Sequence, residues 1–143
     1  MTATAIARRL GGPKVFKSPI RTELELAAAV ARGLPTASID ALVKGNVVLA
    51  QEVPVLLLPA RTLADRKKKR RPLTPEESDR VTRVARLHAR AAEALGNDEK
   101  AFAWLRRPNR SLGGNAPVDL LRTSEGARLA EAALTRLEHG VFS

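Results

Sequence analysis

Cysteine and tyrosine are both missing from this 143-residue chain, and tryptophan, methionine and histidine together occur four times. Without cysteine there is no disulfide framework and no thiolate metal site. Two distant histidines, His88 and His139, with no GxSxG, HExxH or EF-hand spacing, leave no nucleophile–base pair and no metal set to argue for an enzyme, and no cofactor is expected. Aromatics reach only 3% against a 44% hydrophobic share in which Ala and Leu dominate. Such a core suits helices better than strands. Long apolar runs are lacking too: "MTATAIARRLGGPKVF" has no signal-peptide core, and no stretch reaches membrane-spanning length. The expectation is a soluble, cytoplasmic protein without a membrane partner.

Positive charge is what the chain has in excess. Lys and Arg number 25 against 15 Asp and Glu, a net +10. More than half of that excess lies in "RTLADRKKKRR", where seven basic residues face the single acid Asp65. Charge this concentrated either grips a phosphate backbone through counterion release or forms a solvated linker. Composition alone leaves both readings open.

The pattern along the chain is helical. Residues 1–20 are small, polar and basic around Gly11-Gly12-Pro13 and read as a flexible arm. Thr22 with Glu25 forms a capping box for a helix that Gly33 stops, and a second short helix runs to Gly45 with Ile39, Leu42 and Val43 on one face. "VVLAQEVPVLLLP" fits a buried strand by its apolar run, or a short helix starting near Pro54 with a turn at Pro59 and a further helix from Ala60. That second option is a helix-turn-helix. Thr74, Pro75 and Glu77 then open a long helix with Val81, Val84, Ala85, His88, Ala91, Ala92 and Leu95 in one stripe, so His88 is read as a packed histidine rather than a ligand. Asn97 caps the next helix, which Pro108 closes; Gly113-Gly114 is a turn between helices and not a phosphate loop; the last helix stops at Gly140. Val141 and Phe142 follow as an apolar pair expected to dock on something.

The C-terminal half carries a specific resemblance. In "AFAWLRRPNRSLGGNAPVDLLRTSEGARLAEAALTRLEHGVFS", Trp104, Leu105, Pro108, Asn109, Leu112, Gly114, Pro117, Asp119, Leu120, Leu121, Thr123, Gly126, Arg136, Gly140 and Phe142 stand where the toxin-binding domain of the Xre/MbcA/ParS antitoxins places them. The middle, with "RTL..R", "L...ESDR" and "R.AR" in order, is similar to the Xre-like half of antitoxins paired with RES-domain toxins. Ala116 stands where relatives carry a Ser or Thr cap, and Asn115 is expected to cap in its place. The resemblance implies an all-α chain: an arm over 1–20, an Xre-like helix-turn-helix module over 21–72, and a helical toxin-binding domain over 73–143. It implies an antitoxin that covers the active site of a RES-domain toxin, itself NAD-consuming or ADP-ribosylating, dimerises, and represses its own operon. Arg61, Thr62 and Arg66 would approach base edges of operator DNA, and Lys67, Lys68, Lys69, Arg70 and Arg71 would grip phosphates. Trp104, Arg136, Glu138, His139, Val141 and Phe142 would meet the toxin. The alternative is a free-standing helix-turn-helix regulator whose C-terminal half only dimerises.

Overall fold

The computed structural model describes residues 3–140, and every regular element among them is helical. In chain order these are α1 (Ala3–Arg9), α2 (Glu23–Arg32), α3 (Ala37–Lys44), α4 (Val53–Leu56), α5 (Ala60–Lys68), α6 (Pro75–Leu95), α7 (Asp98–Arg106) and α8 (Ser124–Glu138), joined in places by single 3-10 turns. Helix starts follow local chemistry. Thr22 Oγ1 and the Glu25 carboxylate cap each other's backbone at 3.1 and 3.0 Å, and Thr74 with Glu77 does the same for α6 at 3.1 and 2.9 Å. Asn97 and Thr123 cap α7 and α8 through the Lys100 and Gly126 amides.

The ambiguous segment is helical. A 3-10 turn at Ala50–Glu52 runs into α4, which places Pro54 in the first turn of that helix. The amide that proline lacks would have no intrahelical partner there, so it interrupts nothing. Residues 57–59 then turn the chain into α5.

α6 is the hub. Val81, Val84, Ala85, Leu87, His88 and Ala91 are buried along it, and α1, α2, α3, α7 and α8 all pack on it. Fully buried side chains come from both sides of residue 72 — Ile6, Leu10, Leu26 and Leu42 before it, Leu87, Leu105 and Leu121 after — and they belong to one hydrophobic cluster. The expected arm is therefore different in the structure. Ala3, Ile6, Ala7 and Leu10 recur at i, i+3, i+4 and i+7, and this stripe buries α1 against α6. Composition concealed it, because small and basic residues surround the stripe. Two glycines make close approaches possible. A Cβ on Gly33, whose φ is +95°, would lie 2.2 Å from the Leu73 carbonyl oxygen, and one on Gly126 would lie 1.9 Å from that of Leu120. The first contact lets Leu34 pair with Leu73 and with the Ser78 hydroxyl, at 2.9 and 2.7 Å. The second seats the start of α8 against the Pro117–Leu120 turn.

Candidate functional site

Two surfaces hold the residues singled out from the sequence. The first is the far end of α5. Arg61 is exposed on its first turn, Thr62 is half-buried, and Lys67 to Arg71 project at and beyond its last turn. The helix closes with a Schellman-type pair: the Arg71 amide donates to the Arg66 carbonyl at 2.9 Å and the Arg70 amide to the Lys67 carbonyl at 3.2 Å. Arg70 takes the left-handed position, with φ +53°, where glycine is usual. Within this cluster the side chains differ. Lys67 pairs with Asp40 at 2.8 Å and Lys69 with Asp65 at 3.3 Å, both exposed pairs that water and salt weaken. Arg61, Lys68, Arg70 and Arg71 have no carboxylate partner among the described residues.

Arg66 is placed otherwise. Its Nε and Nη2 donate to both carboxylate oxygens of Glu77 at 3.0 Å, with 22% and 12% of the two side chains exposed. The hydrogen bonds that Arg66 donates to Glu77 raise the affinity of its guanidinium for its proton. The Glu77 carboxyl is held below its ordinary range: burial opposes the charge, but the bonds from Arg66 and the Thr74 amide outweigh it. One carboxylate thus caps α6 and ties α5 to it. Arg66 acts from within this brace, so it orients the basic end of α5 and does not reach outward as Arg61 does.

The second surface is carried by α7 and α8. Trp104 is half-buried on α7 and packs against the hydrophobic cluster. On the last turn of α8, Arg136 is half-buried, Glu138 is exposed and pairs with Arg90 of α6 at 2.8 Å, and His139 forms the exposed C-cap. Gly140, at φ +73°, ends the helix as its residue type suggests. Val141 and Phe142 lie outside the described residues. Between α7 and α8, Asn109 caps a 3-10 turn through the Ser111 amide at 3.0 Å and its own amide donates to the Asn115 carbonyl at 3.0 Å. The Asn115 side chain does not cap the Pro117 turn as expected; it donates to the Leu112 carbonyl at 2.8 Å, and Ala116 heads that turn without a side-chain cap.

Sequence reasoning missed the contact that ties α7 to the turn before α4. Arg106, at the end of α7, donates from Nε and Nη2 to Glu52 at 3.1 and 2.6 Å, from Nη2 to the Val47 carbonyl and from Nη1 to the Phe102 carbonyl, with its guanidinium 3.6 Å above the Phe102 ring. Glu52 in turn accepts the Leu49 amide at 2.7 Å and so caps the turn that leads into α4. No motif announces this clamp, because its members are 54 residues apart. His88 is packed, as its place on the α6 stripe indicated. Its Nδ1 accepts from Arg9 Nε at 2.9 Å, and burial, reinforced by the Arg9 charge, pushes its pKa down to about 4. Among the described residues no three His, Asp or Glu side chains gather as metal ligands, and no helix is long and apolar enough to cross a membrane.

Comparison with known proteins bears on the second of these surfaces. Residues 90–140 match the family model described as the antitoxin Xre/MbcA/ParS C-terminal toxin-binding domain, a span that begins on α6 and includes all of α7 and α8. The chain is similar to a protein named antitoxin Xre from Yersinia enterocolitica, 40% identical over 87 residues, which is 60% of this chain and 59% of the relative. A second antitoxin Xre, from Pseudomonas putida, is 36% identical over 84 residues, covering 59% of this chain and 53% of the relative. A protein named Prs ADP-ribosylating antitoxin from a Sphingobium species is 37% identical over 81 residues, 50% of this chain and 51% of its own length. The chain thus spans between half and three-fifths of the length of these curated relatives.

Proposed function

We propose, from the match of its C-terminal helices to the toxin-binding domain of the Xre/MbcA/ParS antitoxins and from its similarity to two proteins named antitoxin Xre, that this chain is an antitoxin of that family, the neutralising partner of a RES-domain toxin and the repressor of their shared operon. The match of residues 90–140 to a toxin-binding domain carries the reading. In it, Arg136, Glu138 and His139 at the end of α8 form a charged rim, and Val141 and Phe142 supply the apolar plug that enters the toxin's cleft. Trp104 stiffens α7 behind that surface. The toxin consumes NAD or uses it for ADP-ribosylation, a reading supported by the word ADP-ribosylating in the name of one relative. NAD is the toxin's substrate, and the antitoxin works as a binding protein, in the cytoplasm and as a homodimer.

The DNA-binding half rests on α4 and α5. Two short helices joined by a three-residue turn, the second ending in unpartnered cations, have the elements of a helix-turn-helix reader. Arg61 and Thr62 face the bases, while Lys68, Arg70 and Arg71, with Lys67 and Lys69 once their exposed pairs exchange for phosphates, hold the backbone. Arg70 supports this. An arginine held in a conformation that favours glycine costs roughly 1 kcal/mol, a strain better explained by its charge than by the fold.

Co-expression tests the reading. A RES-domain protein encoded beside this chain should arrest growth alone and be harmless with the full chain. Removal of residues 139–143 should restore arrest. Full protection by the shortened chain overturns the plug, and failure of the intact chain overturns the antitoxin. If no such toxin gene adjoins this one, the basic end of α5 instead favours a free-standing regulator, recognised by operator binding that no toxin alters.

A further inference from the structure

α2 presents an apolar face that none of the described residues covers. Leu26 and Ala29 turn inward, and α2 packs on α6. Leu24, 81% exposed, is the most exposed large apolar side chain among the described residues, and Ala27, Ala28 and Ala31 are exposed beside it. At about 100° per residue, Ala28 lies on the outward side, about halfway along the helix and roughly 50° from the line directly opposite Leu26 and Ala29. Leu24 and Ala31 fall roughly 40° and 60° to one side of it, and Arg32 and Glu25 fall by similar angles to the other. Both Glu25 and Arg32 are exposed, and among the described residues no ion pair holds either.

This arrangement is complementary to itself. We infer that α2 pairs antiparallel with α2 of a second copy, crossing at Ala28. A two-fold axis through that point sets Leu24 against the partner's Ala31 on one flank and Glu25 against the partner's Arg32 on the other. Each contact is made twice, as a closed dimer requires. The hydrogen bonds that Glu25 accepts from the Arg21 and Thr22 amides already hold its carboxylate ionised for that pair. Alanine at the crossing lets the helix axes approach to about 8 Å. One helix face is smaller than the roughly 800 Å² per partner of a standard interface. The groove on the Glu25 and Arg32 flank of Ala28, lined also by Val15, Phe16, Pro19 and Ile20, adds apolar area beside the crossing.

The inference rests on the dimeric part of the function proposed above, and its test is independent of toxin and DNA. Because the chain has no cysteine, a single introduced thiol reports one contact. Ala28→Cys, oxidised with copper–phenanthroline, should give a disulfide-linked dimer, since its Cβ would lie on the axis within the roughly 4 Å that a disulfide needs. Ala27→Cys, about 100° away around the helix, should stay largely unlinked. Adding Leu24→Glu to Ala28→Cys should abolish the link with the helical circular dichroism unchanged, because Leu24 is outside the core. Arg32→Glu, which sets two carboxylates together, should raise the dimer Kd at least tenfold in analytical ultracentrifugation. A dimer in the ultracentrifuge that Ala28→Cys does not link, or that Leu24→Glu leaves intact, overturns this interface and spares the dimeric reading. A monomer at every concentration overturns both.

Discussion

Truncating Arg106 to alanine should weaken the whole molecule, although that residue lies at the end of α7. The side chain makes two charge-assisted bonds to Glu52, one bond each to the Val47 and Phe102 carbonyls, and a stacking contact with the Phe102 ring. Hydrogen bonds to charged groups contribute about 1.5–3 kcal/mol, and a partly exposed cation–π contact adds about 0.5–1 kcal/mol. Loss of a fully buried partner would cost about 3–5 kcal/mol. Here 17% of Arg106 and 19% of Glu52 remain exposed, so water recovers part of the deficit. The expected cost is about 2–3 kcal/mol, or a fall in Tm of roughly 7–10 °C for a chain of this length. Urea unfolding followed by circular dichroism should show a lower midpoint with an unchanged slope. Glu52→Ala should cost somewhat more, because the Leu49 amide loses its acceptor as well. The double variant should be less destabilised than the sum of the two single variants, by at least about 1 kcal/mol. A change within about 0.5 kcal/mol for Arg106→Ala, or strict additivity, would refute the clamp.

Gly126→Ala should destabilise by about 2–3 kcal/mol or more, because its Cβ meets backbone at Leu120 that cannot swing aside; a thermal melt at or above the parent's shows that this contact gives way. His88 protonates near pH 4 in the folded chain and near 6.5 unfolded. Between these values the unfolded state holds more protons, so the contribution is complete above about pH 6.5 and fades as the pH falls towards 4. About 2 kcal/mol should be lost between pH 6.5 and 5, and His88→Gln should remove that part of the profile; superimposable profiles would contradict the assignment. Arg70→Gly should raise the fold's stability by up to about 1 kcal/mol while weakening retention of operator DNA and reducing the log–log salt slope by about 1. Equal retention by the two proteins would leave Arg70 outside the DNA contact.

Local signals carry far in this chain. The caps at Thr22, Thr74, Asn97 and Thr123 and the apolar stripe of α6 are spelled out within single turns, which is why α2 and the helices from α6 onward are legible without coordinates. The motif from Trp104 to Gly126 is equally local, and it led to the toxin-binding family that residues 90–140 match. The limits appear where a side chain's partner is distant in sequence. Arg66 reads as one more cation in a basic run until Glu77, eleven positions on, is seen to take both of its donors. Pro54 reads as an interruption until its place in the first turn of α4 is known.

What the sequence determined by itself is a mainly helical character, the starts of α2, α6 and α7, the charged run and the C-terminal motif that the family model matches, all of which rest on short-range neighbours. What only the tertiary structure decided is which helices share a core and which charges remain available. α1 joins α6, Arg106 meets Glu52, and Arg66 turns inward while Arg61, Lys68, Arg70 and Arg71 stay in water. The physical reason is that burial and ion pairing depend on distance in space, and helices packed on one hub bring together residues that the chain holds 54 or 79 positions apart.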